Sequence, residues 1–237
     1  MKKYVIVLAS GSSSRFGSGE RPKQFVEVMG KTILEHTLDA CDCEVFDEMV
    51  VVVPELNVKE VTWRINAQKY SIPLRVVAGG GTRLESCRHG VNAIEDYEAY
   101  VVIHNGAQPL VTKESFQNCL LGLETADAVT TAVPCVYTVL EIDEQGYVTS
   151  IPDRSTLRND MGVEGFKLSL LRKLFLSHMD SKSKSTDMVG EVLKSGLSRV
   201  RVVEGDENNI KITYQSDMEK IKERLVAKIK GKDTCDD

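Results

Sequence analysis

Five short runs of apolar residues, rich in β-branched side chains, recur along the first 134 residues and most constrain the fold. Each run is continuous rather than alternating, which is typical of strands covered on both faces. Stretches of helical period separate them, including Ile33–Ala40 and Ser115–Ala126. This repetition predicts a mainly parallel sheet with helices on both faces. The predicted strands are "YVIVLA", "EMVVVVP", "LRVVAG", "YVVIH" and "AVTTAVP".

The pattern changes after Pro134, where "YTVLEIDEQGYVTSIPDR" alternates apolar and polar residues on either side of a turn at Glu144–Gly146. This alternation predicts a β-hairpin. We interpret it as an arm at 136–158 that covers a site or a partner. The elements predicted after the arm are helices at Leu168–Ser177 and Asp187–Lys194, a strand "RVRVVEG", the short run "NIKIT" and a helix from about Ser216.

The length and composition favour an ordinary globular enzyme-sized domain. The 237 residues predict one large α/β domain at 1–230, followed by a frayed polar tail at 231–237. A net charge of -5 argues against a general nucleic-acid binder, since affinity for phosphate backbones needs clustered Lys and Arg. Tyr4–Ala9 is too short to span a membrane, and no C-x-x-C pair is present. We therefore expect a cytoplasmic protein with reduced thiols and no membrane partner.

The loop after the first predicted strand, "ASGSSSRFGSGERPK", is the default ligand site of such a sheet. Its small side chains let backbone N–H groups approach phosphate oxygens, and Arg15 and Lys23 add positive charge. The same residues also suit a solvated turn. The loop has neither the G-K-[ST] of a Walker loop nor the G-x-G-x-x-G of a dinucleotide fold. The segment alone therefore leaves both interpretations open.

Four further segments, "GGGTRLES", "VVIHNGAQPLVT", "STDMVG" and "EGDENNIKIT", follow this loop in order. Together they resemble the motifs of the methylerythritol phosphate and ribitol phosphate cytidylyltransferase family, in which Arg and Pro-Lys also follow the first small-residue loop. In that family pattern the segment matching "EGDENNIKIT" is a strand, so the resemblance implies a strand there. The resemblance covers nearly the whole chain. It implies a Rossmann-like α/β fold, a dimerising β-arm, and a place in isoprenoid or polyol-phosphate metabolism.

The resemblance also implies a reaction, in which the phosphate of a small phosphorylated polyol attacks the α-phosphorus of CTP and pyrophosphate leaves. Such transfers depend on positioning and charge neutralisation. The implied catalytic cations are Arg15, Lys23 and Lys211. The implied nucleotide-binding residues are Ala9, Ser10, Gly11, Ser12, Gly79, Gly80, Arg83, Ser86 and Asn105. The implied acceptor-binding residues are Thr138 and Arg154, which the arm of a homodimer carries to the neighbouring subunit, with Thr186 and Asp187.

The chain departs from the family pattern where acids and an arginine are expected. Asn105 and Gln108 stand where the H-D-x-x-R-P motif has Asp and Arg, Asn208 replaces a second acid, and Gly162–Glu164 replaces a T-P-Q segment. Protein sites for Mg²⁺ usually use one or two carboxylates with substrate phosphates, and amides hold the ion less well. Mg²⁺ is therefore expected as cofactor with no ligand assigned.

Three interpretations stay open. The first is an active cytidylyltransferase with a changed acceptor, in which Asp206, Glu207 or the triphosphate compensates for the missing acids. The second is a nucleotidyltransferase with another base or sugar phosphate. The third is a nucleotide-binding homologue without turnover. His104 is expected to support the loop that follows it rather than to titrate.

Overall fold

The computed structural model describes residues 1–13, 15–16, 21–68, 70–177 and 187–233. Thr186 and residues 234–237 of the predicted frayed tail lie outside these ranges, while the last helix includes the tail's first three residues. The strands are β1 (Lys2–Leu8), β2 (Glu27–Val28), β3 (Lys31–Thr32), β4 (Glu48–Val53), β5 (Leu74–Ala78), β6 (Ala99–Asn105), β7 (Ala128–Pro134), β8 (Glu141–Ile142), β9 (Val148–Ser150), β10 (Arg158–Lys167) and β11 (Val200–Glu204). The α-helices are α1 (Ile33–Cys41), α2 (Val58–Ala67), α3 (Arg83–Asn92), α4 (Lys113–Gly122), α5 (Leu168–Ser177), α6 (Met188–Ser195) and α7 (Asp217–Asp233).

Seven strands form one sheet in the order β11-β7-β10-β6-β1-β4-β5. β10 runs antiparallel to both of its neighbours, and the other adjacent pairs are parallel. All five predicted apolar runs are strands of this sheet. The expected Rossmann-like, mainly parallel α/β fold is therefore confirmed.

Helices cover both faces of the sheet, so that successive side chains of its central strands are buried on opposite sides. Val5 and Val7 of β1 pack in a core with α1, α2 and α4, whereas Tyr4 and Ile6 pack in a second core with α3, α5 and α6. A third cluster joins α7 to the start of α1. In the described part of the chain, no helix has the length and apolar character to cross a membrane.

β10 is the strand of the main sheet that no pattern in the sequence predicted. Its first three residues are exposed and its register shifts between Asp160 and Glu164, so that only the second half is buried between β6 and β7. Gly162 lies at this irregularity with φ +74°. Residues 162–164, which replace the T-P-Q segment of the family pattern, therefore lie in the middle of the sheet.

The run "NIKIT", expected as a strand, is irregular instead. The segment 205–216 lies between β11 and α7 and pairs with no strand. Its backbone is held by single contacts, such as Ile212 N donating to the Ala107 carbonyl at 3.0 Å. A short apolar run there was a wrong indication of a sheet strand.

The predicted β-hairpin is present as β8 and β9, with Gly146 in the turn at φ +88°. It forms its own two-stranded sheet and pairs by backbone hydrogen bonds with no strand of the main sheet. Its side chains are exposed throughout, which confirms a protruding arm. The exposed large apolar residues of the arm segment are Val136, Tyr137, Val139, Leu140, Ile142, Tyr147, Val148 and Ile151.

Candidate active site

A cavity of about 610 Å³ opens where β1 and β6 end. Parallel strands of an α/β sheet deliver their loops to one edge, which is where ligands bind in such folds. The chain continues from β1 and β6 side by side, since Gly106 N donates to the Leu8 carbonyl at 2.8 Å. The lining residues are Leu8–Ser13, Arg15, Lys23, Gln24, Gly80–Arg83, Ser86, Asn105, Ala107, Lys211 and Thr213.

Gln24 shapes the first loop of this cavity. Its buried amide donates to the carbonyls of Ala9 (2.7 Å) and Gly11 (2.9 Å) and accepts from the Ser13 hydroxyl (3.1 Å). Ser13 has φ +59° and its hydroxyl also accepts from Lys23 N at 3.0 Å. The loop carbonyls are thereby turned toward Gln24 and away from the ligand space.

The second wall is the turn that begins α3. Thr82 caps the helix through a reciprocal bond pair with Glu85, and the helix N-terminus favours an anionic ligand nearby. Ser86 accepts from Gly80 N (3.1 Å) and from the Ser10 hydroxyl (2.8 Å), which ties this turn to the first loop. A Cβ at Gly79 would lie 2.6 Å from Ser10 Cβ, so only glycine fits this approach.

Four cations line the described part of the cavity: Arg15, Lys23, Arg83 and Lys211. Burial, with the neighbouring charges of Lys211 and Arg15, lowers the pKa of Lys23 to about 8. Burial and the nearby Arg83 lower the pKa of Lys211 as well. The Lys23 ammonium donates to the Ile212 carbonyl, which holds the segment that carries Lys211. The cavity is thus built for an anion of several charges.

Asn105 and Gln108 form a buried amide pair at the end of β6. Asn105 Oδ1 accepts from Arg83 at 2.8 Å, and its Nδ2 donates to Gln108 Oε1 at 3.0 Å. Gln108 Nε2 in turn donates to the carbonyls of Met161 (2.9 Å) and Asn209 (2.6 Å). A Cβ at Gly162 would lie 2.6 Å from Gln108 Oε1. The replaced Asp, Arg and T-P-Q positions are therefore in mutual contact.

His104 supports this corner, as expected. It is fully buried, its Nε2 lies 2.9 Å from the Gln108 carbonyl oxygen, and its ring packs edge-on against Phe116 at 5.7 Å. Burial lowers the pKa of His104 to about 4, so the ring is neutral at physiological pH. It therefore holds the backbone after β6.

Glu164 of β10 is the carboxylate that contacts Arg83 in the described chain, with Oε2 3.3 Å from Arg83 NH2. Its Oε1 accepts from Met188 N at 3.1 Å, at the first turn of α6. The side chain is buried. Burial raises the pKa of the Glu164 carboxyl, and the Arg83 guanidinium opposes that rise.

The structure brings together most of the residues predicted from the sequence. Every predicted catalytic and nucleotide-binding residue lines the cavity except Gly79, which packs behind it against Ser10. Thr138 and Arg154 lie on the exposed arm and do not reach this cavity, and Asp187 caps α6 by accepting from Gly190 N at 2.6 Å. The fourth predicted acceptor residue, Thr186, lies outside the described residues.

The described residues do not fit a magnesium site held by the protein. The part of the cavity lining that is described contains four cations and no carboxylate. Asn105 Oδ1 faces the Arg83 guanidinium, and Asn208 donates its side-chain amide to Asp206 at 3.0 Å. Neither Asp206 nor Glu207 lines the cavity, so the structure does not support them as compensating ligands. Within the described ranges, no three His, Cys, Asp or Glu side chains cluster as metal ligands.

Four buried residues of this site were not predicted as site residues: Gln24, Gln108, Glu164 and Asn209. Gln24 follows the Pro-Lys motif directly, and Asn209 precedes Lys211 by two residues, so proximity to the motifs was a usable signal. Gln108 was noted only as a missing arginine. Glu164 gave no usable signal, because it meets Arg83 across 81 positions of sequence.

The sequence profile of the family described as "IspD: 2-C-methyl-D-erythritol 4-phosphate cytidylyltransferase" matches residues 3–226 of the chain. The chain belongs to this family. A 2-C-methyl-D-erythritol 4-phosphate cytidylyltransferase of Thermobifida fusca is 34% identical over 221 residues, covering 90% of this chain and 88% of that protein.

Two other relatives extend the comparison. The bifunctional ribulose 5-phosphate reductase/CDP-ribitol pyrophosphorylase Bcs1 of Haemophilus influenzae is 30% identical over 222 residues, which cover 92% of this chain and 47% of that protein. The crystal structure of 4-diphosphocytidyl-2C-methyl-D-erythritol synthase from Anaerococcus prevotii matches with a TM-score of 0.81 and 29% identity, covering 94% of this chain and 98% of that chain. The family assignment made on ordered motifs is therefore confirmed.

Proposed function

We propose that this protein transfers CMP from CTP to the phosphate of a small phosphorylated polyol and releases pyrophosphate. The observation that carries the proposal is the four-cation cavity, whose lining coincides with the motif residues of a cytidylyltransferase family. Relatives named for methylerythritol phosphate and for CDP-ribitol support this acceptor class.

In the reaction, a phosphate oxygen of the acceptor attacks the α-phosphorus of CTP as the bond to the β-phosphate oxygen breaks. Arg15 and Lys23 neutralise the triphosphate and the leaving pyrophosphate, and Lys211 faces them from the segment before α7. Fixed cations in a partly dry cavity stabilise the charge of the transition state without reorganisation. The Gly79–Ser86 turn and the loop at Ala9–Ser12 hold cytosine and ribose.

The test is a screen for pyrophosphate release with the four nucleoside triphosphates against polyol phosphates, with and without Mg²⁺. We expect release with CTP and one polyol phosphate, and its loss in Lys211→Ala. Lys113→Ala is the matched control, because this lysine is partly exposed, pairs with Glu44 and lies outside the cavity. Release with another nucleotide would favour a different base, and CTP binding without release would favour a homologue that lost turnover.

We further propose a homodimer joined through the arm at 136–158. Its apolar side chains are exposed in one chain, and an isolated two-stranded hairpin is marginally stable in water. Arg154 donates to the Val136 carbonyl at 2.8 Å, so the arm holds this cation at its base, where a second subunit could receive it. Thr138 and Arg154 then face the neighbour's acceptor.

Sedimentation at micromolar concentration tests the dimer, and mixing variants tests the shared site. Lys211→Ala and Arg154→Ala each disable both sites of their own homodimer. Refolding them together creates hybrids with one intact site, and recovery of roughly a quarter of native activity is expected from random pairing. A monomer in solution, or no recovery on mixing, would contradict the shared site.

A further inference from the structure

Glu164 is a buried carboxylate whose contacts join two parts of the molecule. Its Oε2 lies 3.3 Å from the Arg83 guanidinium at the cavity, and its Oε1 accepts from Met188 N at the start of α6. The side chain is 1% exposed. One residue thus connects a wall of the nucleotide cavity to the first turn of a helix.

The negative charge at this position needs a reason, because a buried carboxylate is expensive to desolvate unless it is paired. Met188 N requires only an acceptor oxygen, which a glutamine of the same length would also supply. Arg83 is the partner whose interaction is strengthened by the negative charge, because a guanidinium forms stronger hydrogen bonds with a carboxylate than with a neutral acceptor. The charge of Glu164 is therefore matched to Arg83 rather than to α6.

Arg83 is otherwise held by neutral groups. Its NH1 donates to the amide oxygen of Asn105, and its Nε is buried with no hydrogen-bond partner in the described chain. The positive charge of Arg83 lies close enough to Lys211 to help lower the pKa of Lys211. Without a carboxylate beneath it, the guanidinium would have one neutral contact and a repelling neighbour.

Resting on the proposed function, we propose that Glu164 is the positioning residue that fixes Arg83 in the nucleotide cavity and links it to α6, supplying from β10 the carboxylate that position 105 lacks. The first turn of α6 follows Asp187, so the link runs from the nucleotide side of the site toward a predicted acceptor residue. Glu164 acts on the nucleotide through Arg83.

The experiment is a double-variant cycle read by calorimetry of CTP binding without acceptor. Glu164→Gln keeps the shape and the bond to Met188 N but removes the charge, and we expect CTP affinity to fall about tenfold. In an Arg83→Gln background the same substitution should change affinity less than about twofold. A residue that only capped α6 would give no loss in the native background, because Glu164→Gln keeps the bond to Met188 N, and a role independent of Arg83 would give equal losses in both backgrounds; either result would overturn the proposal.

Glu48→Gln is the matched control. Glu48 is also a mostly buried glutamate paired with an arginine, Arg75, but it lies at the start of β4, away from the cavity. Its CTP affinity should equal the native value. Tighter CTP binding in Glu164→Gln would also overturn the proposal, because it would mean that the carboxylate only repels the triphosphate.

Arg83→Lys gives a second route if Glu164→Gln does not fold. It retains the charge, but a single ammonium does not reproduce the fork that reaches both Asn105 and Glu164. Native affinity in Arg83→Lys overturns the proposal, and a loss of about tenfold supports it when Glu164→Asp, added to the same variant, causes no further loss. These measurements use CTP alone. If the double-variant cycle gives the expected coupling but the protein releases no pyrophosphate with any acceptor, the proposed function is contradicted and the assignment of Glu164 stands.

Discussion

Asn105→Asp tests whether Asn105 and Gln108, the amide pair at the end of β6, are coupled in their contributions to stability. Asn105 Nδ2 donates to Gln108 Oε1 at 3.0 Å, in a corner where the two side chains are 7% and 2% exposed. A carboxylate at position 105 would place two acceptor oxygens face to face. Rotating the Gln108 amide would not relieve this repulsion without loss, because its Nε2 already donates to the carbonyls of Met161 and Asn209.

The magnitude follows from these contacts. The substitution removes one buried hydrogen bond and leaves acceptors unpaired, which costs about 1–3 kcal/mol. A stronger bond to Arg83, 2.8 Å from Asn105 Oδ1, offsets part of this loss. We expect the free energy of unfolding to fall by about 1–2 kcal/mol and the melting temperature by about 2–8 °C for a chain of this size. Urea and thermal unfolding without divalent cations measure both quantities.

Adding Gln108→Arg should recover at least half of the lost stability. A guanidinium supplies donors for the new carboxylate and for the carbonyls of Met161 and Asn209 together. Gln108→Arg alone should be less stable than native, since it buries a charge without its acid. An Asn105→Asp variant as stable as the native protein, or a double variant with additive losses, would refute the coupling.

The same variant tests the metal. A carboxylate adds a full negative charge where the amide offers a dipole, so Mg²⁺ should improve CTP binding more in Asn105→Asp than in the native protein. Calorimetry of CTP binding with and without Mg²⁺ makes the comparison, and new or faster pyrophosphate release would agree with it. Equal, strong dependence in both proteins would instead indicate another acid as the ligand.

Three further outcomes are expected. Arg15→Ala and Lys23→Ala should each weaken CTP binding by about 1.5–3 kcal/mol, while Lys113→Ala should bind normally. The melting temperature should be unchanged in Arg15→Ala, whose side chain is exposed, whereas Lys23→Ala also loses the hydrogen bond to the Ile212 carbonyl. Unchanged CTP affinity in both variants would reject the cavity as the nucleotide site. Since the protonated form of Lys23 binds phosphate and its pKa is about 8, native CTP affinity should fall as pH rises through about 8 in calorimetric titrations, and Lys23→Arg should remove that inflection. Gly162→Thr should lower the free energy of unfolding by about 2 kcal/mol or more in urea, since a side chain there combines φ +74° with a contact to Gln108 Oε1; native stability would contradict the packing.

The central parallel strands were predictable because they are continuous apolar runs that are largely buried, whereas the edge strands β5 and β11 are half-buried or exposed. β10 was not predictable, since its ten residues include five charged or amide side chains and two glycines, and it takes its place in the sheet only through pairing with β6 and β7. The segment "NIKIT" shows the opposite error. Its apolar Ile212 is buried in the cluster with α7, not in a sheet.

The cations of the site were predictable because they follow strand ends and fall in ordered motifs. Their supports were not, because the contacts join residues that are distant in sequence. Gln108 reaches Asn209 across 101 positions, and Glu164 reaches Arg83 across 81. A sequence identifies a missing acid at position 105, but only the antiparallel placement of β10 reveals which residue now faces the arginine.

Three of the four departures from the family pattern lie together at the end of β6, whereas the fourth, Asn208, donates its side-chain amide to Asp206. The loop at Ala9–Ser12 and the turn at Gly79–Ser86 retain the motif residues, whereas the changed positions Asn105, Gln108 and Gly162 contact one another. Mutations at residues in contact have coupled effects, so we expect these three positions to act as one unit rather than independently. The arrangement therefore favours a retained nucleotide and an altered acceptor, and a search for the substrate should hold CTP constant and vary the phosphorylated alcohol.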